Sequence, residues 1–176
     1  AVKLVEVWCF IPICIASSVF PKFVELKKRE SVAYLDKLQL YYTLSTWLAI
    51  VIAVGISFIA DWLIALLWGD KYIGASDILI INIWAAIFVF QGVAQSVWTR
   101  IENLQRYSFI FTIAGCFINI ALNYILIPIY HGKGAAFATL ISQIYVVLLG
   151  PWFIRETRLS VKMLISSFVP GGQCLR

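Results

Sequence analysis

Charge is scarce in this sequence. Asp, Glu, Lys and Arg make up 13% of its 176 residues, against roughly 25% in ordinary soluble domains. So few charges cannot cover a water-facing surface, which excludes a soluble globular class. Histidine occurs once, at His131. A zinc site of the HExxH kind is thereby excluded, and no thiolate or carboxylate cluster surrounds that residue in the chain. The cysteines are Cys9, Cys14, Cys116 and Cys174, with no CxxC pair. Three lie in apolar runs, where a small buried hydrophobe is the ordinary role and metal or disulfide chemistry is not. Nucleophile–base sets, phosphate-cradling glycine loops and paired catalytic carboxylates are all missing, so nothing in the pattern marks an enzyme.

What the chain has instead is apolar length. Hydrophobic residues make up 62% and the mean hydropathy is +0.91. At about 20 apolar residues per helical crossing, the chain holds roughly five. The expected architecture is all-α, a polytopic bundle with spans at 2–20, 40–60, 75–98, 107–127 and 134–153. A truncated tail follows at 161–176. The first span carries Pro12 and is expected to stop at Pro21. The second is expected to break near Asp61, leaving a short interfacial piece, 62–68, with tryptophan at each end. Asp61, Asp70 and Asp77 read as helix-end and loop residues. The sequence opens inside an apolar run without a basic n-region or small-residue cleavage site. That reads as a piece of a longer protein and not as a signal peptide.

The stretch "NYILIPIYHGKGAAFATLISQ", 123–143, could be one interrupted helix or two. A continuous helix over 107–153 would be near 70 Å long at about 1.5 Å per residue, roughly twice the bilayer core. Pro128, Gly132 and Gly134 are turn residues at its middle. The expectation is a tight hairpin of two spans.

The formal net charge is +5. In a soluble chain that would suggest nucleic acid; here the distribution points to lipid headgroups. Stretches 22–39, 99–106 and 154–162 hold ten Lys and Arg residues, and the alternating stretches 69–74 and 129–133 hold only Lys71 and Lys133. By the positive-inside rule the first set is cytoplasmic. No nucleic-acid partner is expected.

Polar groups inside spans are costly and each needs a reason. Glu6 lies about 20 Å from the inner end of its span, with Lys3 three residues away on the same face. It is either a coupling carboxylate in a water-filled cavity or a structural residue, half of a buried pair or nearer the outer interface. Gln91 and Gln95 share one helical stripe, and Gly115, Asn119 and Asn123 another. Such amides bond sugar hydroxyls or neighbouring helices. Arg100 could meet a lipid phosphate at the inner mouth or serve as a positive-inside anchor. Gly134, Ala138 and Ser142 form a small-residue packing face.

Three stretches together carry a family resemblance: "FIPICIASSVFPKFVELKK" at 10–28, "LLWGDKYIGASDIL" at 66–79 and "FINIALNYILIPIYHGKGAAFATLIS" at 117–142. They resemble polysaccharide-unit flippases, the O-antigen-type lipid-linked oligosaccharide exporters of the multidrug/oligosaccharidyl-lipid/polysaccharide exporter superfamily. The likeness covers roughly residues 1–160. It implies the C-terminal portion of a two-lobed bundle of 12–14 helices around a central cavity, in the bacterial cytoplasmic (inner) membrane. Such a transporter moves undecaprenyl-diphosphate-linked repeat units to the outer leaflet for O-antigen or capsule synthesis. Its partners would be the lipid-linked oligosaccharide, membrane lipids, the N-terminal lobe and polysaccharide polymerase machinery. No cofactor is expected, with H+ or Na+ as coupling ions. Cavity candidates are Lys3, Glu6, Gln91, Gln95, Asn119 and Asn123, with Arg100 for phosphate. A cation-coupled drug or peptidoglycan-precursor exporter of the same superfamily, a membrane polymerase and an inactive fragment are the competing readings. The two readings of Glu6 separate in Glu6→Gln within the intact protein. A coupling carboxylate predicts transport abolished at normal membrane abundance; full transport in that variant would remove Glu6 from the mechanism.

Overall fold

The computed structural model describes the backbone at residues 2–29, 31–69 and 74–168, with side chains at 8, 10–29, 33–69 and 74–168. Among these residues all regular structure is helical. Helix α1 is Val2–Arg29, α2 Ser31–Trp68, α3 Ser76–Ile101 and α4 Gln105–Ile144. A π-helical turn at Tyr145–Leu149 leads into α5, Gly150–Phe153, and α6 is Arg158–Ser166. Three segments, Ala33–Trp68, Ser76–Ile101 and Gln105–Phe153, are long and apolar enough to cross a membrane. The protein is all-helical and membrane-embedded. A helix satisfies its own backbone amides where no water is available to do so.

Helix α3 is the central element, packed by α2 on one side, α1 on another and α4 on a third. Its contact with α2 depends on small side chains. Ala49, Ala53, Ile56 and Ala60 are buried at steps of three or four, three of the four being alanine, against Leu79, Ile83, Ala86 and Phe90 of α3. Small residues let two helix backbones approach closely, the main source of attraction where lipid is as apolar as the core. At the other end a second cluster joins Phe23 of α1, Leu38 and Tyr42 of α2, Trp98 of α3 and Met163 of α6.

Helix α4 is two antiparallel arms. His131 has φ 51 and ψ −128, which no helix contains. A Cβ on Gly134 would lie 2.4 Å from the carbonyl oxygen of Leu126. Along a straight helix those residues would be about 12 Å apart. Further down, Gly115 meets Val146, and Gly150 meets the Phe111 ring, in contacts centred on the same turn. Glycine is required at 134 because another backbone occupies the space of its side chain. The turn is held to α3 by a 2.5 Å ion pair from Lys133 to Asp77. Near the far end of the second arm, Pro151 has no N–H to offer its helix. The π turn before it takes up the mismatch.

Several expected boundaries move. Helix α1 runs through Pro12 and Pro21 to Arg29, because a proline removes one backbone bond and neighbouring helices hold the rest in line. The expected loop at 22–39 is thus mostly helix. No break occurs at Asp61: α2 continues to Trp68, and Gly69 ends it with φ 84, its N–H donating to Ala65 O at 2.9 Å. That is the left-handed glycine cap; Asp61 is exposed and breaks nothing. The expected tail from 161 begins inside α6. There Tyr42 and Ser160 hydroxyls bond at 2.8 Å, Thr46 and Ser167 at 2.8 Å, and Gln39 donates to Met163 O at 3.0 Å.

The hairpin predicts a contrast between two glycines. Gly134→Val must push backbone from backbone and is expected to cost about 1–3 kcal/mol or more. Gly55→Ala, with nothing within 4 Å of the added carbon, should be neutral or stabilising by up to about 1 kcal/mol. Denaturant midpoints of the purified variants check this, and equal midpoints would contradict the packed hairpin.

Candidate substrate cleft

Between α3 and the two arms lies an open cleft of about 600 Å³. The helical repeat explains its lining. Ser108, Thr112, Gly115 and Asn119 recur at three- and four-residue steps, so one face of the first arm turns toward the space. Gln95, Ser96 and Thr99 face it from α3, and Thr139, Ser142 and Gln143 from the second arm. Its described lining includes no charged side chain. Cys116 is exposed there, without a described His, Asp or Glu beside it in the lining to activate it.

Hydroxyls and amides behave differently in this cleft. The hydroxyls of Thr112, Thr139 and Ser142 donate to carbonyls four residues back, at 2.9, 3.0 and 2.7 Å. Ser96 and Thr99 donate three residues back. Bonding of this kind satisfies the donor within its own helix. Glutamine is too long to do so. Gln95 and Gln143 line the cleft and make no side-chain hydrogen bond among the described residues. They offer a carbonyl and an amide each to whatever enters.

The predicted site residues therefore separate. Gln95 and Asn119 reach the same cleft. Gln91, fully buried, turns the other way and donates to Thr46 Oγ1 of α2 at 3.2 Å. It bonds a neighbouring helix, the alternative use of an intramembrane amide, and its Oε1 has no partner. Asn123 donates to Asn119 Oδ1 at 2.8 Å, holding that amide in place from one turn away. Arg100 is exposed and bonds Ser96 Oγ at 3.1 Å, which sets it beside the lining where α3 ends. The side chains of Lys3 and Glu6 lie outside the described residues. Gln143 and the hydroxyls of Thr139 and Ser142 were not among the expected site residues. The Thr139–Gln143 step of four is the sequence signal that could have found them.

At the same end as Arg100, Lys27 pairs with Glu102 at 2.8 Å and donates to Ile101 O at 3.1 Å. Tyr34 OH donates to the same carboxylate at 3.3 Å. The network fastens α1, α2 and α3 together. The described part of the basic set, from Lys22 to Lys37 and at Arg100, Arg106, Arg155, Arg158 and Lys162, belongs to this end of the bundle. Asp77 and Lys133 mark the other.

No protein family, curated protein or solved structure matches the chain. The family resemblance rests on the quoted motifs alone. Chemically the cleft suits neutral, hydroxyl-rich matter. It has donors and acceptors at fixed positions, and the described residues offer no metal-binding group of His, Cys, Asp and Glu.

Thiol labelling tests which glutamine is wet. In a background with Cys9, Cys14, Cys116 and Cys174 all changed to Ser, Gln95→Cys and Asn119→Cys should react with a membrane-impermeant thiol reagent far faster than Gln91→Cys. Equal rates at all three would mean that Gln91 also faces the cleft.

Proposed function

We propose that the protein is part of an exporter that moves lipid-linked oligosaccharide units from the cytoplasmic to the outer leaflet of a bacterial inner membrane. The observation that supports this reading is the uncharged cleft, lined by Gln95, Asn119, Gln143 and hydroxyls, on a bundle whose other faces expose large apolar side chains. A lipid-linked sugar needs such a division. Its head group requires hydrogen-bonding partners across a region that has no water, while its tail stays in lipid. Each unsatisfied sugar hydroxyl in hydrocarbon would cost several kcal/mol, roughly 4–8 in a fully non-bonding medium. Two free amides and a row of hydroxyls offset part of that.

In this reading α1, α2, α3 and the two arms of the hairpin cross the membrane five times. The end rich in Lys and Arg faces the cytoplasm. Arg100 meets the diphosphate at the inner mouth, and Lys3 supplies a second positive charge. Glu6 couples movement to H+ or Na+. A second lobe completes the cavity, and polymerase machinery takes the delivered unit. The chain carries out transport and no bond-making chemistry. A cation-coupled drug exporter is less well supported, since charged drugs call for ionisable groups in the cleft and its described lining has none.

The test uses the full-length parent in cells that lack their own repeat-unit flippase. Surface polymer should return, and lipid-linked sugar should cease to accumulate on the inner side. Gln95→Leu or Gln143→Leu should each lower the rate about fivefold, the equivalent of one hydrogen bond near 1 kcal/mol, at unchanged abundance. Absence of rescue by a well-inserted parent, together with cation-driven dye efflux, would replace this reading with the drug-exporter one.

A further inference from the structure

A second hollow lies between α1 and α2, at the basic end and away from the polar cleft. Ile15, Val19 and Phe23 of α1 and Leu40, Leu44 and Leu48 of α2 form its walls, and its volume is about 460 Å³. Lys22 and Lys37 also line it. They lie toward the C-terminal end of α1 and the N-terminal end of α2, so the apolar walls run from the lysines toward the middle of both helices.

The lining selects among occupants. From residue 37 to residue 48 a helix rises about 16 Å. Over that length the walls are apolar side chains, Leu40, Leu44 and Leu48 of α2 facing Ile15, Val19 and Phe23 of α1. An alkyl chain suits a groove that is apolar along its course.

The charge selects further. Lys22 and Lys37 are exposed and make no ion pair or hydrogen bond among the described residues. Nearby acids do not neutralise them. Glu25 is held by Arg29 at 2.9 Å, and Asp36, exposed, does not line the groove. Two free ammonium groups at the headgroup end of an apolar groove complement an anionic head on an acyl tail.

We propose that this groove binds an anionic membrane phospholipid, with one acyl chain along Val19, Leu40 and Leu44 and the phosphate between Lys22 and Lys37. The proposal rests on the membrane-embedded fold and not on the transport reading. Bound there, the lipid fills the seam between α1 and α2 and fixes their spacing at the membrane surface.

The experiment is spin-label resonance on the protein in phosphatidylcholine vesicles that carry spin-labelled phosphatidylglycerol or spin-labelled phosphatidylcholine. The readout is the motionally restricted fraction of each probe. Wild-type protein should prefer phosphatidylglycerol. Lys22→Gln and Lys37→Gln should each reduce that preference roughly fivefold. Lys28→Gln, an exposed lysine that does not line the groove, should leave it unchanged. Leu44→Trp, which fills the groove from a side chain 60% exposed, should reduce the restricted fraction of phosphatidylglycerol at unchanged helicity. Added inorganic phosphate should not compete. The proposal is overturned if the preference survives the double lysine variant or falls equally in Lys28→Gln. It is also overturned if Leu44→Trp changes nothing, if free phosphate competes, or if cysteines at 40 and 44 crosslink to another protein segment or a second copy in place of contacting lipid.

Discussion

A medium without water leaves polar groups no partner but the protein, and that constraint shapes every level of this structure. It requires helices, since only helices close their own backbone bonds in a single open segment. It also sorts the side chains. Ser17, Ser18, Thr43, Ser57, Thr112, Thr139 and Ser142 all return their hydroxyl hydrogens to carbonyls four residues back. Their hydrogens are spent within their own helices, which leaves only the hydroxyl oxygens as acceptors. Asn82 does the same, donating to Ile78 O at 2.9 Å, but the glutamines do not. Gln91 and Gln39 reach other helices or their carbonyls, whereas Gln95 and Gln143 reach the cleft. A functional surface here is the remainder after local bonding has been satisfied.

The same constraint explains what holds the helices to one another. Burial from water contributes little between elements already in lipid, so close backbone approach and inter-helix bonds matter more. The alanine seam of α2 against α3, the glycines of the hairpin and the hydroxyl pairs reaching α6 are three forms of this. Each sets a neighbour of the cleft. The α2 seam fixes α3, the glycines fix the distance between the two arms, and α6 closes the basic end beneath them.

How much could be read beforehand depended on which physics decided the outcome. Apolar length and turn chemistry are local, so the helical class and the reversal near Pro128, Gly132 and Gly134 were legible. Helix ends were not. Pro21 and Asp61 look like breaks in a lone helix, but neighbours and the lack of a competing turn carry α1 and α2 past them. Helix α6 has too few apolar residues to announce itself, and its place depends on distant partners such as Tyr42 and Gln39. The division between Gln91 and Gln95 was likewise hidden. Four residues along a helix advance the side chain by about 40° beyond a full turn. That drift carries the stripe from the α2 side to the cleft side, and only the position of α2 reveals where the boundary falls.

Helix α2 is longer than any bilayer needs. Its 38 residues extend about 57 Å, and hiding that length in a core of about 30 Å by tilting alone would take close to 60°, beyond the usual range of roughly 0–40°. Part of it must stand clear of the hydrocarbon. The lipid boundary therefore crosses the molecule partway along its helices, not at their tips. The junction of Lys27, Glu102 and Tyr34 lies at the basic end of the bundle, where its partly buried ion pair is within reach of counterions, which act over a Debye length of about 10 Å. The molecule has two kinds of fastening as a result. The hydroxyl and alanine contacts inside the membrane do not respond to salt, and the charged junction above them loosens as ionic strength rises.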